Sequence, residues 1–136
     1  MSGLVQGERG RWLALAIAAF AAMAVGVPVA LAEVKVTGVV KNDIQDPGAC
    51  LLKVKASGLD PGSTYRWTAE SSSGGFVSGF GVATSHGTIA ESRSLFPASM
   101  WNQGNTIAVR VEFTPDMASF FLVGMATPTN RCTHSL

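Results

Sequence analysis

From Ala49 to Glu70 (ACLLKVKASGLDPGSTYRWTAE) two runs of strict alternation meet at one corner. Cys50, Leu52, Val54 and Ala56 alternate with Leu51, Lys53, Lys55 and Ser57, so one side is mostly apolar and the other mostly charged or polar. A period of two is the pattern of a half-buried β-strand, because successive side chains leave a strand on opposite faces. Asp60-Pro61-Gly62 then turns the chain: proline presets φ near −65° and glycine accepts positive φ without steric cost. Beyond the turn Tyr65, Trp67 and Ala69 resume the inward side, while Arg66, Thr68 and Glu70 face water.

The remaining chain repeats this theme with more ambiguity. Glu33 to Lys41 reads as a strand with Val34, Val36 and Val40 facing in and Gly38 at a bulge or a close contact. The loop Asn42 to Gly48 carries Asp43 and Asp46; two carboxylates without a recognisable motif fall short of the six to eight oxygens calcium takes, so a solvated loop is expected. After the flexible Ser71–Gly75, the residues Phe76, Ser78, Phe80 and Val82 alternate with Val77, Gly79 and Gly81. One side of that strand is aromatic and the other nearly bare, where a backbone, a ring or a ligand could approach, or where bulges could form. In Thr88 to Leu95 two faces compete, and burial of Ala90, Ser92, Ser94 and Phe96 is expected because that set carries no charge. Met100 and Trp101 fall in a long loop, where they either plug the end of the fold or await a partner. Thr106 to Thr114 alternates cleanly, with Ile107, Val109, Val111 and Phe113 inward. Ala118 to Ala126 does not alternate: Phe120, Phe121, Leu122, Val123 and Met125 put bulk on both faces. About seven strands and no amphipathic helix make an all-β sandwich.

The corner Gly58-Leu59-Asp60-Pro61-Gly62, with Tyr65 and Trp67 beyond it, resembles the immunoglobulin-like and fibronectin-type-III-like sandwiches of secreted bacterial proteins. That resemblance implies a single immunoglobulin-like β-sandwich; it concerns a structural corner and implies no chemistry. Val54 to Leu59, followed by Gly62 and Tyr65, is also similar to the early strands of the enediyne antibiotic-binding apoproteins. The second resemblance implies a small-ligand carrier.

The N-terminus is of different material. Arg9 and Arg11 precede a charge-free run from Trp12 to Leu31 that ends at Ala30-Leu31-Ala32, a small-x-small site just after Pro28. This is the layout of a signal peptide, residues 1–32, cleaved to leave a domain at 33–136; an uncleaved anchor is the alternative, because the run is long enough to span a bilayer. A secreted or cell-envelope location is expected, with no membrane attachment after cleavage. Loss of Glu8, Arg9 and Arg11 takes the chain from a formal +1 to neutrality, which gives no electrostatic reason to seek nucleic acid. The chain's 2 cysteines, Cys50 and Cys132, both lie in the exported part, and an even pair in an oxidising compartment reads as a disulfide.

Catalytic groupings are sparse. The 2 histidines, His86 and His134, lie in a turn and near the chain end, and neither belongs to a nucleophile-elbow motif. Glu70, Glu91 and Glu112 all fall at positions read as outward and solvated. No phosphate-cradling loop opens a helix, and no metal-ligand spacing or cofactor motif stands out. The expected function is therefore non-catalytic: an exported module that acts by surface binding to a protein or envelope partner, or by self-association. The candidate surface is Met100, Trp101, Phe121, Val123 and Met125. The alternative is the small-ligand carrier.

Overall fold

A computed structural model describes residues 33–136 of the protein. The expected signal peptide at 1–32 lies outside the described residues. Eight strands follow in order: β1 (Lys35–Asn42), β2 (Cys50–Ser57), β3 (Thr64–Ser71), β4 (Phe76–Val82), β5 (Ile89–Leu95), β6 (Ile107–Phe113), β7 (Phe121–Ala126) and the two-residue β8 (Thr129–Asn130). A single 3-10 turn, Ala98–Met100, precedes β6. The strands form two four-stranded sheets, β5-β2-β1-β8 and β4-β3-β6-β7, packed as a sandwich. All pairings are antiparallel except β1 with β8.

The alternation in β2 and β3 explains the core. Cys50, Leu52, Val54 and Ala56 from the first sheet meet Tyr65, Trp67 and Ala69 from the second, with Val109 and Val111 of β6 beside them, all buried. The corner between β2 and β3 is pinned by Tyr65, whose hydroxyl accepts a 2.9 Å hydrogen bond from the Asp60 backbone N–H. This bond ties the loop to the strand that follows it. Gly62 sits at φ +82°, the left-handed conformation that the turn requires and glycine adopts without strain.

Cys50 and Cys132 form a disulfide with Cα atoms 5.8 Å apart, closing a loop of sequence separation 82. The chain end is held twice more. Asn130 donates from Nδ2 to the carbonyls of Trp101 and Asn102, at 3.0 and 2.9 Å, and accepts from the Cys132 N–H through Oδ1. Asn42 accepts from the N–H groups of Thr133 and His134.

Three expectations are corrected. In β5 the faces are reversed: Ile89 and Leu95 are buried while Ala90, Ser92, Ser94 and Phe96 are exposed, so Glu91 and Arg93 turn toward the second sheet. The register with β2 fixes this, since Ile89 pairs Ala56 and Leu95 pairs Cys50, both core residues. Because β5 is an edge strand, Arg93 reaches solvent at the rim while its guanidinium lies 5.1 Å from the Trp67 ring centroid. Charged side chains turned inward at a sheet edge also blunt edge-to-edge pairing. Second, Trp101 is only 2% exposed, and Met100 packs half-buried against the core. The loop plugs the end of the sandwich, and a Cβ on Gly75 would lie 2.7 Å from the Trp101 ring. Third, Glu112 and Thr68, expected to be solvated, are 8% and 6% exposed.

Candidate binding face

β3 and β6 are the inner strands of the second sheet, so side chains on their outer side are flanked by β4 and β7. Arg66 stands opposite Phe80 of β4 on one side and Glu112 of β6 on the other. Both Nε and one terminal nitrogen of Arg66 reach Oε1 of Glu112, at 2.8 and 2.7 Å. Phe120, just before β7, lays its ring 3.5 Å from the Arg66 guanidinium carbon, and its centroid is 6.4 Å from that of Phe80. The ion pair is therefore roofed by an aromatic ring, which is why Glu112 is buried on a side of the sheet that faces water. A guanidinium over a ring face contributes roughly 0.5–2 kcal/mol, more as the pair loses water.

The two edge strands that flank this centre are apolar, while the inner strands also carry Glu70 and Arg110 outward. Phe76, Phe80 and Val82 of β4 are all exposed, as are Leu122 and Met125 of β7. The bare side of β4 explains why the aromatic residues point outward. A Cβ on Gly79 would stand 2.8 Å from Nε1 of Trp67, so the buried indole fills the space a side chain would need. Gly81 faces Glu91 and Ile89 of β5 at 3.3 and 3.5 Å. At Gly79 the indole of its neighbour in the sheet leaves room only for glycine, and the bulky members of the alternation are left in water.

The irregular pattern of β7 has an equally local cause. The pairing with β6 shifts register between Val111 and Glu112, so that Gly124 faces Val111 while Leu122 faces Glu112, and Val123 is the extra residue of a β-bulge. Val123 packs half-buried against the core, and Gly124 turns inward against Val34 and Val36. Leu122 and Met125 share the outer side with Glu112 and Arg110. Phe121 pairs Phe113, whose ring meets buried Tyr65 edge-on with centroids 5.8 Å apart, and Phe121 itself lies at the rim, 56% exposed.

Of the residues expected on a binding surface, Met125 and Phe121 are exposed, Val123 and Met100 pack on the core, and Trp101 lies inside it. Phe76, Phe80, Val82, Leu122 and Phe120 belong to the face and were not among those expected. The alternation of Phe76, Phe80 and Val82 against Gly79 and Gly81 was the signal that could have found the first three.

The groups considered for chemistry are dispersed. His86 is exposed in a turn, where its N–H donates to Thr84. His134 holds Nδ1 2.9 Å from the Ala49 carbonyl. Asp43 accepts from the Gln45 N–H and the Ser94 hydroxyl, and these bonds hold its carboxyl below the usual range. Asp116 is likewise held low by the N–H groups of Ala118 and Ser119. Among the described residues no cluster of three metal-ligating side chains occurs and no helix is long and apolar enough to cross a membrane. Comparison with protein-family models, curated proteins and solved structures finds no match for the chain.

Proposed function

We propose that the protein is an exported, non-catalytic module of immunoglobulin-like type that acts by surface binding through the outer side of the β4-β3-β6-β7 sheet. The observation that carries this reading is the exposure of Phe76, Phe80 and Val82 on β4 and of Leu122 and Met125 on β7, at the two edges of one sheet surface, with Phe120 bridging them over Arg66. Large apolar side chains are costly to leave in water, at roughly 25 cal/mol per Å², and several of them on one face mark an interaction site. The immunoglobulin-like assignment is supported by the order of the sheets, with β3 and β6 at the centre of one and β1, β2 and β5 together in the other. The disulfide is consistent with an oxidising, extracellular destination.

The occupant proposed is a second copy of the chain. The outer side carries both signs beside its apolar residues, Arg110 on β6 and Glu70 on β3, so the face is self-complementary as a two-fold contact requires. Sedimentation velocity over a concentration series tests this. Wild-type protein should dimerise with rising concentration, and Phe80→Ser with Leu122→Ser should remain monomeric at an unchanged melting temperature. A wild-type protein that stays monomeric throughout, or a double variant that dimerises equally well, would overturn the reading.

A further inference from the structure

The opposite surface of the sandwich has a different chemistry. Every lysine of the chain, Lys35, Lys41, Lys53 and Lys55, stands exposed on the outer side of the β5-β2-β1-β8 sheet. The β1–β2 register places them in four successive rows, one to a row: Lys35 opposite Ser57, Lys55 opposite Thr37, Lys53 opposite Val39 and Lys41 opposite Leu51. Rows on one face of a sheet are two residues apart, about 7 Å. The lysines therefore form a ladder with one cation every ~7 Å over roughly 20 Å.

β5 extends the rows with Ala90, Ser92 and Ser94, and no outward position of β1, β2 or β5 is a carboxylate. Two carboxylates stand beyond the ends of the ladder: Glu33, two residues before Lys35, and Asp43, in the loop after β1 and already bonded to Ser94. Two open hollows flank the ladder, one of about 440 Å³ bordered by Lys35 and Lys55 and one of about 500 Å³ bordered by Lys41 and Lys53. Hydroxyls at Thr37, Ser57 and Ser92 stand among the lysine rows and can donate to anionic oxygens.

We infer that this face is a second binding site, distinct from the apolar one, and that it takes a linear phosphate-linked polyanion without aromatic bases, lying along the strands. Charge complementarity selects an anion, and the even single-file spacing selects a linear one. A lysine ammonium is a point charge suited to phosphate oxygens. Binding of single-stranded nucleic acid draws on aromatic side chains that stack with bases; none stands on the outward positions of these strands, and the one exposed ring nearby, Phe96, lies past the end of β5 against Gly48.

The test is titration of the purified protein with long-chain inorganic polyphosphate over a salt series, read by calorimetry. Binding should weaken with added salt, with a log–log slope near −3 for four contacts taken at about 0.7 per contact. Each Lys→Gln substitution should reduce the slope by about a quarter and the low-salt affinity about fivefold, the scale expected per lysine near an anionic surface. Lys53→Arg with Lys55→Arg should retain binding, and Arg110→Gln on the other sheet should leave it unaltered. Any of four results would overturn the inference: no binding at low salt; equal loss in Arg110→Gln; triphosphate bound as tightly as the long chain; or tighter binding to anionic lipid vesicles, single-stranded DNA or an acidic polysaccharide at equal charge. Unaltered thermal unfolding of the Lys→Gln variants separates loss of the site from loss of the fold.

Discussion

At the scale of single residues, Gly79 and Trp67 decide how the second sheet faces water. The indole is 1% exposed and occupies the space over Gly79, and its Nε1 has no hydrogen-bond partner. The fold tolerates an unmet donor, a cost of about 1–3 kcal/mol, at the point where the two sheets come closest to the β4 edge. Gly79→Ala should therefore lower stability by roughly 1–3 kcal/mol in urea titrations, because a buried ring cannot swing aside as an exposed side chain would. Gly74→Ala is the contrast: nothing lies within 4 Å of its Cβ, so any loss there comes from its φ of +93° alone. Asp116 supplies a pH dependence of known sign. Its N–H partners depress the folded-state pKa, so its contribution is present above the unfolded value of about 3.9 and is lost as pH falls below it. Thermal melts of wild type and Asp116→Asn should differ at neutral pH and converge as the carboxylate protonates; a constant gap down to strong acid would contradict the assigned role.

Single elements were legible to different degrees, for physical reasons. β2, β3 and β6 could be read almost residue by residue, because their inward sets are wholly apolar and alternate without interruption. β5 could not: its charged set faces inward, which an edge strand permits since the long side chain of Arg93 escapes to the rim. β7 misleads because a bulge changes the phase of alternation in mid-strand, and period-two reasoning assumes constant phase. Trp101 could not be placed because loop sequence does not say whether an apolar side chain turns inward, whereas Gly75 and the Asn130 bonds fix it in the structure. The bulge makes a testable split. Val123→Thr should cost stability, since that side chain packs on the core, whereas Leu122→Ser should alter association with little effect on unfolding. The disulfide acts across elements, joining the start of β2 to the tail. For a loop of 82 the chain-entropy account gives about 4 kcal/mol as an upper guide, so Cys50→Ala with Cys132→Ala should shift the urea midpoint well down while circular dichroism still reports the same strands.

At the scale of the molecule, the near-neutral net charge conceals a segregation that only strand pairing reveals. Alternation in β2 already placed Lys53 and Lys55 outward, but nothing in the order of residues says that β1 lies beside β2 and brings Lys35 and Lys41 to the same surface. The outcome is a sandwich with a cationic, hydroxyl-bearing surface on one sheet and, on the other, apolar edge strands on either side of a charged centre. The most direct test of the apolar surface as the functional one is methyl NMR of methionine-labelled protein over a dilution series. Met125 lies on the face at 57% exposure, Met117 is exposed in the loop before β7, and Met100 packs on the core. The account predicts a concentration-dependent shift of the Met125 methyl, with Met117 and Met100 unmoved. Invariance of all three, or an equal shift at Met117, would contradict it.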